Sequence, residues 1–179
     1  MFAYLLLLIG ALSRVILVPA HFSFTAVGGS LLYFGARRSK AQIIFPVLIL
    51  AAVDFYLTKF AYGYPFHARD YVFTWIWYAA ACLIGSAILS KRNGALRILT
   101  AALASATSFF LISNFLVWAG SALYPHTASG LGACFTVALP WYGRDIIATT
   151  VVAGCAFGLE ALVKQIRAAR ETTHTSIPA

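Results

Sequence analysis

Apolar residues run along this chain in six long blocks separated by short polar breaks. The blocks cover about Phe2 to Val18, Phe22 to Ala36, Gln42 to Phe60, Val72 to Ser90, Ile98 to Gly120 and Ile146 to Lys164. A helix crossing the hydrocarbon core of a bilayer needs about 20 apolar residues, and most of these blocks meet that length. The pattern predicts an all-α polytopic membrane bundle of about six transmembrane helices. The second block is the shortest and carries Gly28-Gly29, which reads as a flexible pair.

Only one connection is long. It runs from Ser121 to Asp145 and holds Pro125, Gly130, Gly132, Pro140 and Gly143. Inside it, Ala128 to Leu139 is apolar but too short to span, which predicts a re-entrant or interfacial piece. Residues 1–164 form one transmembrane domain in this reading, and 165–179 form a short polar tail. The N-terminal block has no basic residue before its apolar run, and Arg14 interrupts it. It reads as a retained first span and not as a cleaved signal.

Composition supports the bilayer. Of 179 residues, 61% are hydrophobic and 10% charged, against about 25% charged in soluble domains. A soluble domain of this size could not hide that much apolar surface. The net charge of +8 would suggest nucleic acid in a soluble protein, but here its distribution argues against such a partner. Arg37, Arg38 and Lys40 follow block two; Lys91, Arg92 and Arg97 lie around the break before block five; Lys164, Arg167 and Arg170 follow block six. Nine of the 13 basic residues thus fall on one side of a six-span topology. Basic loops stay in the cytoplasm, so both termini are expected there, in a bacterial inner membrane. Trp75, Trp77, Trp118 and Trp141 then all lie toward the outer face, as an interfacial belt or as a surface on which a ligand stacks.

A charge inside a span costs about 2.5–3.5 kcal/mol on insertion scales, so each needs a reason. Arg14 in the first block and Asp54 in the third are such residues, and Asn114 lies in the outer third of the fifth, one turn before Trp118. His21, His67 and His126 fall in the outer connections. These polar outliers converge on one side. They outline a ligand pocket walled by spans one, three and five, with Asn114, Trp118, Asp54, Arg14, His21 and His126 as its candidate residues. The competing readings are a structural Arg14–Asp54 ion pair, ordinary loop histidines, and an interhelical hydrogen bond at Asn114. Gly154-x-x-x-Gly158 and Ala102-x-x-x-Ala106 have the spacing that lets helices approach, and are expected to pack within the bundle. Glu160 can reach Lys164 one turn on.

No P-loop, H-E-x-x-H or G-x-S-x-G occurs, so no enzyme, metal or cofactor is expected. Cys82, Cys134 and Cys155 show neither a disulfide framework nor a zinc pattern.

Ser108 to Trp118, followed by Tyr124-Pro125-His126-Thr127 and Gly130-Leu131, resembles the signature of a family of small bacterial membrane proteins of uncharacterised function. Ala138-Leu139-Pro140-Trp141-Tyr142, His21 to Gly29 and Asp54 fit it too. That family is similar to the substrate-binding S components of energy-coupling-factor vitamin transporters. The resemblance implies six helices and a micronutrient site near the outer face, with a T component and two ATPases as partners in the coupled form. It also raises Cys82 and Cys134 as candidate cobalt ligands. S components often carry A-x-x-x-A in the first helix to dock on the T component. Here Leu7 follows Ala3 and Val15 follows Ala11, which argues against that docking. The expected function is transport-linked binding of a small polar micronutrient. A structural or accessory membrane subunit with no ligand is the alternative.

Overall fold

The computed structural model describes residues 1–17 and 25–175, with side chains for 1–16 and 25–171. The described residues form six α-helices and no strand: α1 (Phe2–Leu17), α2 (Val27–Arg37), α3 (Ile44–Tyr56), α4 (Val72–Leu89), α5 (Ala95–Gly120) and α6 (Ala128–Thr175). A 3-10 turn, Lys40–Ile43, leads into α3 and a π-helical turn, Leu57–Ala61, extends it. Four helical stretches are long and apolar enough to cross a membrane: Lys40–Ala61, Val72–Leu89, Ala95–Gly120 and Ala128–Glu171. Their outward faces carry Leu48, Ile76, Leu83, Leu111, Phe115, Ile147 and Val151, all exposed. An apolar exterior of that extent is suited to lipid.

The centre of the bundle is α2. Every residue from Val27 to Ala36 is buried, and Leu31, Leu32 and Phe34 have no exposed surface. At about 1.5 Å per residue its 11 residues cover about 16 Å, half the hydrocarbon thickness. α1, α4, α5 and α6 surround it. The second apolar block therefore supplies a helix enclosed by protein, and Gly28-Gly29 is part of its helical surface. A Cβ on Gly28 would strike the Thr149 side chain, and one on Gly29 would strike Val152 and Ala153. The glycines mark contact with α6, not flexibility.

The tightest contact joins α2 to α4. A Cβ on Gly35 would overlap the backbone carbonyl of Cys82, and a Cβ on Gly85 would overlap that of Leu32. Each helix thus presents a glycine to the other's backbone, and the two cross nearly backbone to backbone. Helices in lipid gain little from apolar burial alone, so close packing of this kind carries much of their association. Ala102 and Ala106 pack inside the bundle as expected. Gly154 and Gly158 do not, because open space surrounds both, and Ala153, Ala156 and Phe157 make the buried face of α6 in their place.

α6 corrects the expected topology most. The piece from Ala128 and the sixth apolar block belong to one 48-residue helix with Pro140 inside it. Thr127 caps its start, with Oγ1 accepting from the Gly130 amide at 3.2 Å. Pro140 removes one backbone donor, that for the Thr136 carbonyl, yet the helix continues through it. Trp141, Arg144 and Asp145, expected in an outer connection, lie within it. So does the start of the expected polar tail, which is helical as far as Thr175.

The α2–α4 crossing predicts a steep glycine dependence. Gly85→Ala should lower the thermal stability of the detergent-solubilised protein by about 1–3 kcal/mol, the usual cost of overpacking. Gly154→Ala meets nothing and should be neutral or stabilise by up to about 1 kcal/mol, the helix-propensity gain. Equal unfolding temperatures for the two variants would refute the close crossing.

Candidate functional site

A polar cluster fastens three helices at the end where α1 finishes. Arg14 Nη1 on α1 lies 2.5 Å from Asp54 Oδ1 on α3 and donates to Tyr78 Oη on α4 at 2.6 Å. Tyr78 Oη lies 3.2 Å from Asp54 Oδ2, and Trp75 Nε1 donates to that same oxygen at 3.1 Å. Asp54 is 1% exposed, so its charge is offset by one guanidinium and two uncharged donors. Trp75 and Tyr78 are three residues apart on one face of α4. A buried carboxylate with this many partners is an anchor, and the expected Arg14–Asp54 pair is present.

Beside the anchor lies a cavity of about 550 Å³, within the range of small-molecule sites. Its main walls are α4 (Thr74, Trp77, Tyr78), α5 (Phe109, Phe110, Ser113, Asn114) and α6 (Cys134, Ala138, Trp141, Tyr142, Asp145). Arg14 from α1 and Val27 and Gly28 from the first turn of α2 also line it, and Tyr124 borders it from the α5–α6 connection. The aromatic wall is internally braced. Phe110 stacks on Tyr142 at 4.5 Å between centroids, Trp77 packs on Phe109 at 4.6 Å, and Tyr142 Oη lies 2.7 Å from Thr107 Oγ1. The contacts of Tyr142 with Thr107 and Phe110 set the Trp141–Asp145 stretch beside the middle of α5. Asp145 accepts from Thr149 Oγ1 at 3.4 Å and is in none of the described ion pairs.

The sequence candidates divide. Arg14 and Asn114 line the cavity. Asn114 donates Nδ2 to the Phe110 carbonyl at 2.7 Å, and its backbone carbonyl accepts from Cys134 Sγ at 3.4 Å; the side-chain amide keeps Oδ1 and one Nδ2 hydrogen for a ligand. Asp54 is not on the wall; it stands behind Arg14 and Tyr78. Trp118 and His126 are not on it either. Trp118 Nε1 donates to the Pro125 carbonyl at 2.9 Å, and the His126 ring packs edge-on against the indole at 5.6 Å. Both hold down the connection from α5 to α6. His21 lies outside the described residues. The walls are thus spans four, five and six, with α3 absent and α1 contributing Arg14. Cys134 borders the cavity, whereas Cys82 is buried at the α2 crossing.

Tyr142 and Asp145 carry no candidate role in the sequence, where Pro140 and Gly143 read as part of a connection, and Trp141 figures there only as one of four outer tryptophans. On one helix, 141, 142, 145 and 148 follow the i, i+1, i+4, i+7 spacing of a single face, and that spacing was the available signal.

At the other end of α2 a second cluster ties it to α6. Arg37 Nε meets Glu160 Oε2 at 2.7 Å, Tyr33 Oη donates to the same oxygen at 3.0 Å, and Lys164 Nζ lies 2.6 Å from Oε1. The Glu160–Lys164 pair was expected, whereas the Arg37 link from α2 was not.

The anchor predicts coupling between two helices. Asp54→Asn should destabilise the protein by about 3–5 kcal/mol, because it strands Arg14. Arg14→Met combined with Asp54→Leu should cost less than the sum of the single changes. Strict additivity in detergent unfolding would exclude the pair as an energetic unit.

No curated protein and no solved structure matches the chain. A family match covers residues 1–172, taking in all six helices nearly to the end of α6, and the chain belongs to that family, a family of unknown function (DUF6580).

Proposed function

We propose that this protein binds a small polar micronutrient in the cavity between α4, α5 and α6 as part of its transport across a bacterial inner membrane. The observation that carries the proposal is a cavity of about 550 Å³ inside an apolar bundle, with Arg14, Asn114 and Asp145 on a wall otherwise of aromatic rings, aliphatic residues and small polar side chains. Ionisable groups at membrane depth are costly and point to function by default. The resemblance to S components agrees with such a role. A T component and ATPases would then supply the energy. Ala3, Leu7 and Ala11 of α1 face the core and are buried, so a coupling partner would dock on a surface other than this stripe. Under the accessory-subunit reading the polar groups serve packing alone. The Arg14–Asp54 anchor fits that role, but among the described residues Asp145 ties no helices together.

The test is thermal stabilisation of purified protein across a panel of vitamins and metabolites. A ligand at 100 times its Kd should raise stability by about 2.7 kcal/mol. Ala138→Phe, which places a ring in the cavity, should abolish that gain, and Asn114→Leu should reduce it. A panel without a hit, or a hit indifferent to Ala138→Phe, would favour the accessory subunit.

The topology in this proposal places both termini in the cytoplasm and the Arg14 end of the cavity outside. Reporters fused after Ala179 and inserted near Ser39 should therefore read cytoplasm, and one near Tyr64 should read outside. Ser39 and Tyr64 on the same side would overturn it.

A further inference from the structure

We infer that the cavity takes a protonated amine, with Asp145 as its counter-ion and the aromatic rings as its walls. This deepens the binding function proposed above and rests on it. Among the described residues, two ionisable groups other than tyrosine and cysteine line the cavity, Arg14 and Asp145. Arg14 already has a counter-ion, because Asp54 sits 2.5 Å away on the side facing α3. Asp145 has none among the described ion pairs, and its partner is the hydroxyl of Thr149. Arg144, next in the chain, is exposed and is not part of the cavity wall. Among the described residues, the wall charge left for a ligand to neutralise is therefore negative.

The rings agree with that sign. Trp77, Phe109, Phe110, Trp141 and Tyr142 share the cavity with Asp145. Aromatic faces are the negative side of the ring quadrupole and attract cations, most strongly where water is scarce. A carboxylate among such rings matches an ammonium group joined to a flat or apolar body. The same wall would repel a carboxylate at the Asp145 end. Depth adds to the argument. Asp145 stands beside the middle of α5, where a lone carboxylate is costly, and a bound cation offsets that cost.

Phenethylamine, phenethyl alcohol and phenylacetate share one ring and differ in charge. Their binding to the full-length protein in phosphatidylcholine nanodiscs is measured by equilibrium dialysis, with Ala138→Phe nanodiscs correcting for partition into lipid. Phenethylamine should bind at least about tenfold more tightly than the alcohol, the scale of one charge-assisted contact, and phenylacetate should bind least. Asp145→Asn should bring the amine down to the alcohol's affinity, and Asp145→Glu should retain part of the difference. The wild-type ranking needs no variant at position 145, so a folding defect there does not remove the test. Alcohol or phenylacetate binding as tightly as the amine would overturn the inference and leave a ligand cavity of another charge preference. Absence of any binding sensitive to Ala138→Phe would overturn it too, and the metabolite panel then decides the binding function separately.

Discussion

The close crossing of α2 and α4 is the constraint on which the rest of the bundle depends. Gly35 and Gly85 bring two backbones to a distance that no side chain allows. Once that contact is set, α2 is held inside the ring of its neighbours, and all of Val27–Ala36 is buried. In water such a helix would be held by the exclusion of its apolar face. In lipid the surroundings are as apolar as the helix, and shape takes over from hydrophobicity. Small residues recur at its contacts for that reason: Gly28 and Gly29 against α6, Gly35 against α4, and Ser30 against Gly10 of α1.

Packing of that kind fixes distance better than it fixes register, and the two polar clusters supply the register. At one end Arg14, Asp54, Tyr78 and Trp75 tie α1, α3 and α4 together. At the other end Arg37, Tyr33 and Glu160 tie α2 to α6. A one-residue slide of α2 along α6 would separate Arg37 from Glu160 and drive Gly29 off Val152. The ion pairs are weak evidence for stability in themselves, since their desolvation opposes their attraction. Their geometric demand is the larger contribution.

How much of this the sequence discloses follows from what each signal measures. Block length reports apolar helices, so α1, α3, α4 and α5 were legible to within a few residues. It does not report what a helix touches, so α2 passed for a lipid-facing span although protein surrounds it. Charge inside a block reports cost, and Arg14 and Asp54 were found together by it. Their other partners, Trp75 and Tyr78, carry no such cost and left no mark. Pro140 and Gly143 misled, because in soluble chains they punctuate helices. Here the neighbouring helices and the apolar surroundings hold the backbone helical through Pro140. Reading Pro140 and Gly143 as a break conceals the helix face that Trp141, Tyr142 and Asp145 share, and with it the α6 wall of the cavity.

The short length of α2 explains where the cavity lies. A helix as short as α2 fills only part of the bundle's depth, and its first turn, Val27 and Gly28, sits on the cavity wall. Beyond that turn α4, α5 and α6 face one another, and among the described residues no helix is seated between them at the depth of Asn114 and Trp141. Their facing residues are large rings, which span such a gap without closing it. Small residues draw helices together along the length of α2, Gly28 and Gly29 against α6 and Gly35 against α4, and beyond its first turn aromatic residues of α4, α5 and α6 line the gap. The cavity therefore lies where the short α2 begins, and Asp145 of α6 stands on its wall.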